Sequence, residues 1–324
     1  MRTADAHNRL ASLLSARGWL GCVVDSERVE EVRARLEELH SAGAFAPDFY
    51  DLELADTFEW EPPAEFVAAR SVIVVARPAA AGRLVVRWRG RDRQVAVPPT
   101  YRGFRAAGAE TLTALQEALA EVGYGAHSSH LPNKALAVGG GLARYGRNNI
   151  TYVDGFGSHA QLVVAWSDLP ALEDRWRGPA ALERCEGCRA CMDACPTGAI
   201  ADDRFLLHGE RCLPHFNEWP GAFPEWIPSD AHNALVGCMR CQEVCPENRA
   251  AAGAAAAAGA QAAWTEDLGP TFSEGETGLL LAGTPLEELP APTVAKLTRL
   301  DTFLEYELIC RNLAALIPAR SASG

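Results

Sequence analysis

Hydrophobic patterns typical of helices and of strands alternate along the first half of the chain. Apolar residues recur at helical spacing in the segments 4–18, 25–43 and 109–123, which predicts three amphipathic helices. The β-branched run at residues 69–78 predicts a buried strand closed by Pro78. The segment 83–97 predicts a β-hairpin that turns near Gly90.

The pattern continues beyond the hairpin with one irregular segment. Residues 133–146, "NKALAVGGGLARYG", begin with helical spacing and then meet three consecutive glycines. Two strand-like stretches follow at residues 148–153 and 159–166. Because helices and strands interleave up to about residue 172, this half is predicted to be an α/β or α+β domain.

The second half has a different character. Cysteines dominate residues 180–250, and an alanine-rich connector follows at 249–263. Residues 293–317 predict a helical run or a pair of helices. The sequence therefore predicts an α+β protein of three parts, which are an α/β domain at 1–178, a cysteine-rich module at 179–250, and a connector with a short helical tail at 251–324.

Composition narrows the functional classes. The chain has 324 residues, of which 48% are hydrophobic, so a substantial core is expected. The apolar runs are too short to cross a bilayer, and the N-terminus lacks a signal-peptide pattern, so a cytoplasmic protein is expected. The net charge of −12 disfavours tight nucleic-acid binding. One arginine-rich stretch, residues 87–94, is expected at the hairpin tip with its arginines pointing to different sides.

Ten cysteines in a reducing compartment are expected to bind metal or carry out redox chemistry rather than form disulfides. Cys22 and Cys310 lie in apolar segments and are expected in the core. The other eight fall in two clustered motifs. The first motif is C-x2-C-x2-C-x3-C-P, formed by Cys185, Cys188, Cys191 and Cys195. The second ends in Cys238, Cys241 and Cys245, and its missing first member is assigned to Cys212.

This spacing favours two [4Fe–4S] clusters. In such motifs three close thiolates bind one cubane, while the fourth cysteine, followed by proline, binds the other. One predicted ligand group is Cys185, Cys188, Cys191 and Cys245, and the other is Cys195, Cys212, Cys238 and Cys241. Zinc is the alternative, because C-x2-C pairs also build zinc ribbons, although three cysteines within seven residues suit a cubane better.

The order of these motifs resembles a known family. A buried strand, a glycine-rich helix that runs into "GRNN", a "DLP" segment, and the cysteine module with "CPTGAI" and "CPEN" are similar to the epoxyqueuosine reductases. The corrinoid reductive dehalogenases are more distantly similar. The likeness covers roughly residues 15–250 and two short stretches of the tail.

The resemblance implies a nitroreductase-like domain that binds a base-off cobalamin, followed by a ferredoxin-like module that delivers electrons to cobalt. It places five residues at the corrinoid, namely Gly141, Gly146, Arg147, Asn148 and Asn149. Glycines permit close approach of backbone to a flat ligand, and Arg and Asn bind amide and phosphate groups. Without the resemblance, the glycines indicate only a flexible helix end. They lack the G-x-G-x-x-G spacing of a dinucleotide site.

One departure concerns the proton donor. The family has a catalytic aspartate shortly before the position of "NKALA", whereas residues 126–137 contain no acid. His127 and His130 occupy this stretch and are candidate proton donors near neutral pH. Tyr101 and Tyr145 are further candidates, because the corrinoid dehalogenases use a tyrosine as their acid.

Two functions follow from these features. The first is a cobalamin-dependent iron–sulfur reductase, which receives electrons from a low-potential donor of ferredoxin or flavodoxin type. Its expected substrate is a small organic molecule near His127 and His130 rather than tRNA, because of the acidic net charge. The second is an electron-transfer or activator protein that turns over no substrate of its own.

Overall fold

A four-stranded antiparallel sheet lies at the centre of the N-terminal half of the protein. The computed structural model describes residues 2–173, 175–257, 267–302 and 304–317. Helices in these ranges are α1 (Arg2–Arg17), α2 (Glu27–Ser41), α3 (Pro47–Glu53), α4 (Phe104–Ala120), α5 (Asn133–Gly139), α6 (Ala190–Asp193), α7 (Leu213–Asn217), α8 (Arg240–Glu243), α9 (Pro246–Ala257), α10 (Glu274–Leu281), α11 (Ala291–Leu300) and α12 (Tyr306–Leu316). Strands are β1 (Leu20–Asp25), β2 (Ser71–Pro78), β3 (Gly82–Trp88), β4 (Arg91–Val97), β5 (Ala126–Ser128), β6 (Ala143–Tyr145), β7 (Thr151–Val153), β8 (Ala160–Ser167) and β9 (Asp267–Phe272).

The central sheet has the strand order β1-β2-β8-β5 and carries helices on both faces. Successive side chains of β2 point to opposite faces. Val72 and Val74 pack with residues of α2 and α5, whereas Ile73 and Val75 pack with residues of α1 and α4. Because both faces of β2 are covered, this strand has a continuous apolar sequence rather than an alternating one.

A second sheet has the strand order β4-β3-β9. The β3–β4 hairpin turns at Arg89 and Gly90, both of which have positive φ (53° and 71°). Such a two-residue turn matches the twist of the strands, and the predicted hairpin is confirmed. Strand β9 pairs in parallel with β3.

The C-terminal part packs onto this second sheet. Val86, Val95, Phe272 and Leu313 belong to one buried cluster that joins β3, β4, β9 and α12. The predicted pair of tail helices is confirmed by α11 and α12. The tail is not only helical, because it also supplies β9 to the hairpin.

Other sequence predictions have mixed outcomes. Cys310 is 7% exposed within the cluster around α12, and Cys22 packs against the core beneath α5, so both are core residues as expected. The connector is helical as far as Ala257, and the rest of 249–263 lies outside the described residues. Helices and strands are mixed as predicted, whereas the nitroreductase-like and ferredoxin-like subdivision stays a prediction, as do the boundaries after residues 178 and 250.

No helix in the described ranges combines the length and the apolar character needed to span a lipid bilayer.

Candidate functional site

Four cysteine thiols line one cavity at the start of the cysteine-rich segment. These thiols, called the first thiol set, belong to Cys185, Cys188, Cys191 and Cys245. Three come from one loop and the turn of α6, and the fourth precedes α9. Burial and, after it, repulsion from the other three thiols of the set raise the pKa of Cys191 to about 11. The four thiols are therefore close enough for their charges to repel one another.

A second group of thiols lies deeper in the protein. This second thiol set consists of Cys195, Cys212, Cys238 and Cys241. Burial raises the pKa of Cys212 well above its ordinary value, and the other three members raise it further. Its members come from three separate segments, and Cys241 lies in α8. The two sets have the same members as the predicted ligand groups, and the role of each thiol as a ligand stays a prediction.

The sulfur atoms of the second set receive several hydrogen bonds. Asn233 Nδ2 lies 3.1 Å from Cys238 Sγ, and the Thr197 hydroxyl lies 3.7 Å from Cys195 Sγ. The backbone N–H of Ala199 donates to Cys195 Sγ at 3.3 Å. Such donors stabilise a thiolate, which is the form that binds metal.

The thiols of the first set line a cavity that they share with other residues. Among the described residues, no group of three or more His, Cys, Asp or Glu side chains is arranged to hold a metal ion. The first thiol set instead shares its cavity with Gly146, Arg147 and Tyr152. Four thiols around a shared cavity suit a cluster of several metal atoms.

The "GRNN" turn packs against the first thiol set. The backbone N–H of Arg147 donates to Cys185 Sγ at 3.4 Å, and its Nη2 donates to the Cys185 carbonyl at 3.1 Å. Arg147 Nε is buried without a partner in the described part of the chain. Asn148 is 3% exposed and donates to the Tyr152 hydroxyl, and Asn149 bonds the backbone of Phe205 and Leu207. Arg147 and Asn149 therefore bind the cysteine-rich segment, Asn148 binds β7, and corrinoid contact by the turn stays a prediction.

The three consecutive glycines also have structural roles. A Cβ on Gly139 would lie 2.2 Å from the Trp176 ring, and one on Gly140 would lie 2.6 Å from Cys22 Sγ. Gly141 has φ +75° and follows the end of α5, where a left-handed residue terminates a helix. Close packing and helix termination therefore account for this run, and contact between Gly141 and a corrinoid stays a prediction.

Tyr101 lies beside the second thiol set. Its hydroxyl donates to Glu218 Oε1 at 2.6 Å, and its ring covers Gly237, which precedes Cys238. Burial raises the pKa of Tyr101 well above 10, and Glu218 and the thiols of the set raise it further. Burial also raises the pKa of Glu218 to about 7, although the Tyr101 hydrogen bond opposes this shift. The pair joins the loop after β4 to the segment after α7.

Lys134, on α5, interacts electrostatically with Glu218 and with thiols of the second set. Part of its side chain is exposed to water, while desolvation by the surrounding protein lowers its pKa. Cys212, Glu218 and Cys241 counteract this shift by attraction. The ammonium of Lys134 thus lies near both the Tyr101–Glu218 pair and the second thiol set.

A second carboxylate extends this polar group. Glu53, at the end of α3, accepts hydrogen bonds from Trp219 Nε1 and binds His215 Nδ1, both at 2.7 Å. Its charge raises the pKa of Glu218. Sequence analysis missed Lys134, Glu53 and Glu218, because nothing in their local sequence distinguishes them from surface charges.

The candidate histidines lie in and after β5. His127 Nε2 is 3.3 Å from Glu65 Oε1, and its ring stacks on Phe66. The exposed His130 ring meets Phe58 edge to face with centroids 6.1 Å apart. A proton-donor role for either histidine stays a prediction. Tyr145 contacts Phe205 edge to face, and burial raises its pKa to about 12.

Comparison with protein families bears on the cysteine-rich segment. Residues 184–248 match the family model described as a 4Fe-4S double cluster binding domain. The two [4Fe–4S] clusters predicted from the cysteine spacing are therefore confirmed as the cofactors of this segment.

Several curated relatives are named epoxyqueuosine reductase. The enzyme of Cyclobacterium marinum is 34% identical over 144 residues, which cover 43% of this chain and 45% of the relative. The enzyme of Staphylococcus aureus is 26% identical over 229 residues, which cover 68% of this chain and 58% of the relative. The matched parts thus span less than two thirds of these relatives. The predicted resemblance to this family is confirmed.

Solved structures agree at the level of the fold. The epoxyqueuosine reductase of Bacillus subtilis superimposes with a TM-score of 0.64 at 19% identity, covering 96% of this chain and 81% of that one. An epoxyqueuosine reductase solved with an epoxyqueuosine-modified tRNA-Tyr stem loop gives a TM-score of 0.53 at 20% identity, covering 75% and 66%.

Proposed function

We propose that the chain is a corrinoid-dependent iron–sulfur reductase of the epoxyqueuosine reductase type. The observation that carries the proposal is the position of the Tyr101–Glu218 pair and of Lys134 beside the second thiol set. A proton-donating group and a cation next to a metal cluster are what a reductase needs and what an electron carrier does not require.

The thiols fit the clusters in number and in chemistry. The first thiol set would hold one cluster, and the second thiol set the other. The buried Arg147 Nε, which lines the first cavity without a partner in the described part of the chain, supports this assignment, because cluster sulfur accepts such N–H groups. Bound clusters would supply a path for single electrons, and a bound corrinoid would supply the metal on which the substrate is reduced.

Groups suited to a corrinoid occur in the β5–α5 segment. The Ser129 hydroxyl is buried with no hydrogen-bond partner among the described residues, and Lys134 is exposed five residues later. A hydroxyl and an ammonium can bind the amides and the phosphate that a corrinoid carries. Ser129 and Lys134 are therefore the residues proposed to hold it, in addition to those that the resemblance implies.

Tyr101 is the proposed proton donor in place of the family's aspartate. Reduction of an organic substrate consumes protons as well as electrons, so the site must supply an acid. Glu218 holds the phenol in one orientation and, with a pKa near 7, can return a proton to it. The Lys134 ammonium would stabilise the phenolate that forms when Tyr101 releases its proton.

The substrate class is part of the proposal. Preference for a small molecule over tRNA finds no support in the comparisons, because a similar protein was solved with a tRNA stem loop. Both classes therefore belong in one experiment.

Single-turnover reduction tests the proposal. Protein loaded with iron, sulfide and cobalamin is reduced without oxygen, freed of reductant and mixed with an epoxyqueuosine-bearing stem loop or with small organic epoxides and halides. We expect product to form in step with reoxidation of the clusters, and to form more slowly in Tyr101→Phe. Loaded, reduced protein that forms no product with either class would leave the activator function as the better account.

A further inference from the structure

A polar cavity opens beside the second thiol set and has no role in the reaction proposed above. It has a volume of about 430 Å³ and is formed by β4, by the segment around α8 and by the end of α12. Its lining residues are Arg93, Gln94, Val95, His232, Asn233, Arg240, Glu243, Leu316 and Ile317. A cavity of this size can hold a ligand as large as a nucleotide.

Two arginines from distant parts of the chain meet in this cavity. Arg93 comes from the exposed half of β4, and Arg240 begins α8. Both are exposed, and neither forms a side-chain hydrogen bond or an ion pair with a carboxylate within the described residues. Burial raises the pKa of the nearby Cys238 thiol, and the charge of Arg240 acts on that thiol to oppose this rise. Arg87, in the same hairpin, is instead bound to Asp92.

The other charges in the cavity do not cancel the two arginines. Glu243 contributes one carboxylate, and His232 stays neutral at pH 7 because burial, and then the nearby Arg311, lower its pKa. The cavity therefore keeps a net positive charge in a protein whose total charge is −12. Two exposed guanidinium groups without a carboxylate ion-pair partner among the described residues are suited to an anion.

The remaining lining indicates what kind of anion fits. Gln94 offers an amide donor and acceptor, and Val95, Leu316 and Ile317 form an apolar wall. The Asn233 amide is already bound to Cys238 Sγ, the Ala231 carbonyl and the Met239 N–H. Guanidinium groups bind phosphate oxygens in a fork, and an apolar wall with an amide accommodates a base or another ring attached to the phosphate.

We propose that Arg93 and Arg240 form a binding site for the phosphate group of a nucleotide. The phosphate is that of a free nucleotide, and binding of an RNA chain in its place is an outcome that the test distinguishes. The proposal does not depend on the reaction, because its test is an equilibrium measurement.

The test measures equilibrium binding of two probes, adenosine monophosphate and a short unmodified RNA stem loop. Both are titrated into the iron-loaded full chain at low ionic strength and without oxygen. Comparison of the two probes distinguishes a free nucleotide from an RNA chain. Arg93→Gln and Arg240→Gln should each weaken binding about ten- to a hundredfold. Arg105→Gln removes the same charge from an exposed position on α4, outside the cavity, and should leave binding nearly unchanged.

Each result of the binding experiment either supports or overturns the proposed site. Binding of the mononucleotide with this variant pattern supports the site and assigns it to a free nucleotide. Binding of the stem loop alone would overturn the assignment to a free nucleotide. Absence of binding by both probes, or equal weakening by Arg105→Gln, would overturn the proposal.

Discussion

The Tyr101 hydroxyl donates a hydrogen bond of 2.6 Å to Glu218 Oε1, across the boundary between the N-terminal half and the cysteine-rich segment. The two residues come from segments that share no local motif, and they meet beside the second thiol set. A phenol held by a buried carboxylate next to a redox centre is a candidate acid with a built-in proton source. The predictions begin from this pair.

Loss of the phenol should slow substrate reduction without changing the clusters. Tyr101→Phe removes the O–H but keeps the ring over Gly237, so we expect single-turnover rates to fall about 10²–10⁴-fold at unchanged iron content. Tyr306→Phe is the matched control, because its hydroxyl bonds the Thr284 carbonyl in the C-terminal part. Equal rates for Tyr101→Phe and the wild type would remove Tyr101 from the mechanism.

Loss of one thiol of the second set should affect one cluster only. Cys212→Ala removes a buried member of that set, so iron content should fall below the eight atoms per chain of two cubanes, and the EPR signal of one reduced cluster should change. Cys310→Ala is the control, because that thiol is packed in the core around α12. Full iron content and an unchanged spectrum in Cys212→Ala would show that the assignment of Cys212 is wrong.

A side-chain hydroxyl should tune the potential of the second cluster. Thr197 is 5% exposed and lies 3.7 Å from Cys195 Sγ, where a bound thiolate can only accept its proton. Thr197→Val removes this hydrogen bond at nearly constant shape, so the reduced cluster loses stabilisation and its potential should become more negative. Thr197→Ser keeps the hydroxyl and should stay close to the wild type. EPR-monitored redox titration makes the comparison, and identical potentials for the Val and Ser variants would contradict it.

An ion pair in the C-terminal part should make stability depend on pH. Burial alone would raise the pKa of Glu276, but hydrogen bonds from Lys296, Ser273 and Thr293 lower it to about 2, below its ordinary 4.5. Because the folded pKa is the lower one, this stabilisation is complete above about pH 5 and is lost as pH falls from 4.5 towards 2.

Glu276 also completes the capping box of α10 with Ser273. Glu276→Gln should therefore lower the free energy of unfolding by about 1–3 kcal/mol at pH 7, with a smaller difference near pH 3. Glu287→Gln, at an exposed position, is the control. Denaturant titration at both pH values gives the result, and a loss that is the same at pH 3 would exclude the ion pair as its cause.

Sequence analysis predicted features that depend on short-range sequence patterns and missed those that depend on contacts between distant segments. Cysteine spacing predicted the thiol groups because each motif places most of its cysteines within eleven residues of one another, and the exchange of one ligand between two such motifs is a known pattern of cluster ligation. Gly90 predicted the hairpin because its turn requires positive φ. The pairing of β9 with β3 escaped prediction, since it joins segments nearly two hundred residues apart and β9 contains a glycine and a proline.

Within the candidate site, too, the residues that sequence analysis missed are those whose role depends on contacts between distant segments. Tyr101 was a candidate from resemblance alone, whereas Glu218 and Lys134 acquire a role only because α5 and the segment after α7 meet at the second thiol set. The "GRNN" turn had a recognisable pattern, but its contacts with Cys185 depend on tertiary packing that no local pattern encodes.

Corrinoid binding by the cluster-loaded protein tests the central claim most directly. Anaerobic titration of the iron-loaded full chain with cobalamin, followed by visible absorbance, should show saturation at one corrinoid per chain and the spectrum of the base-off form. Lys134→Met should weaken this binding, because it removes the ammonium beside the second thiol set. A protein with its full complement of iron and sulfide that takes up no corrinoid would contradict the reductase account and leave an electron-transfer function in its place.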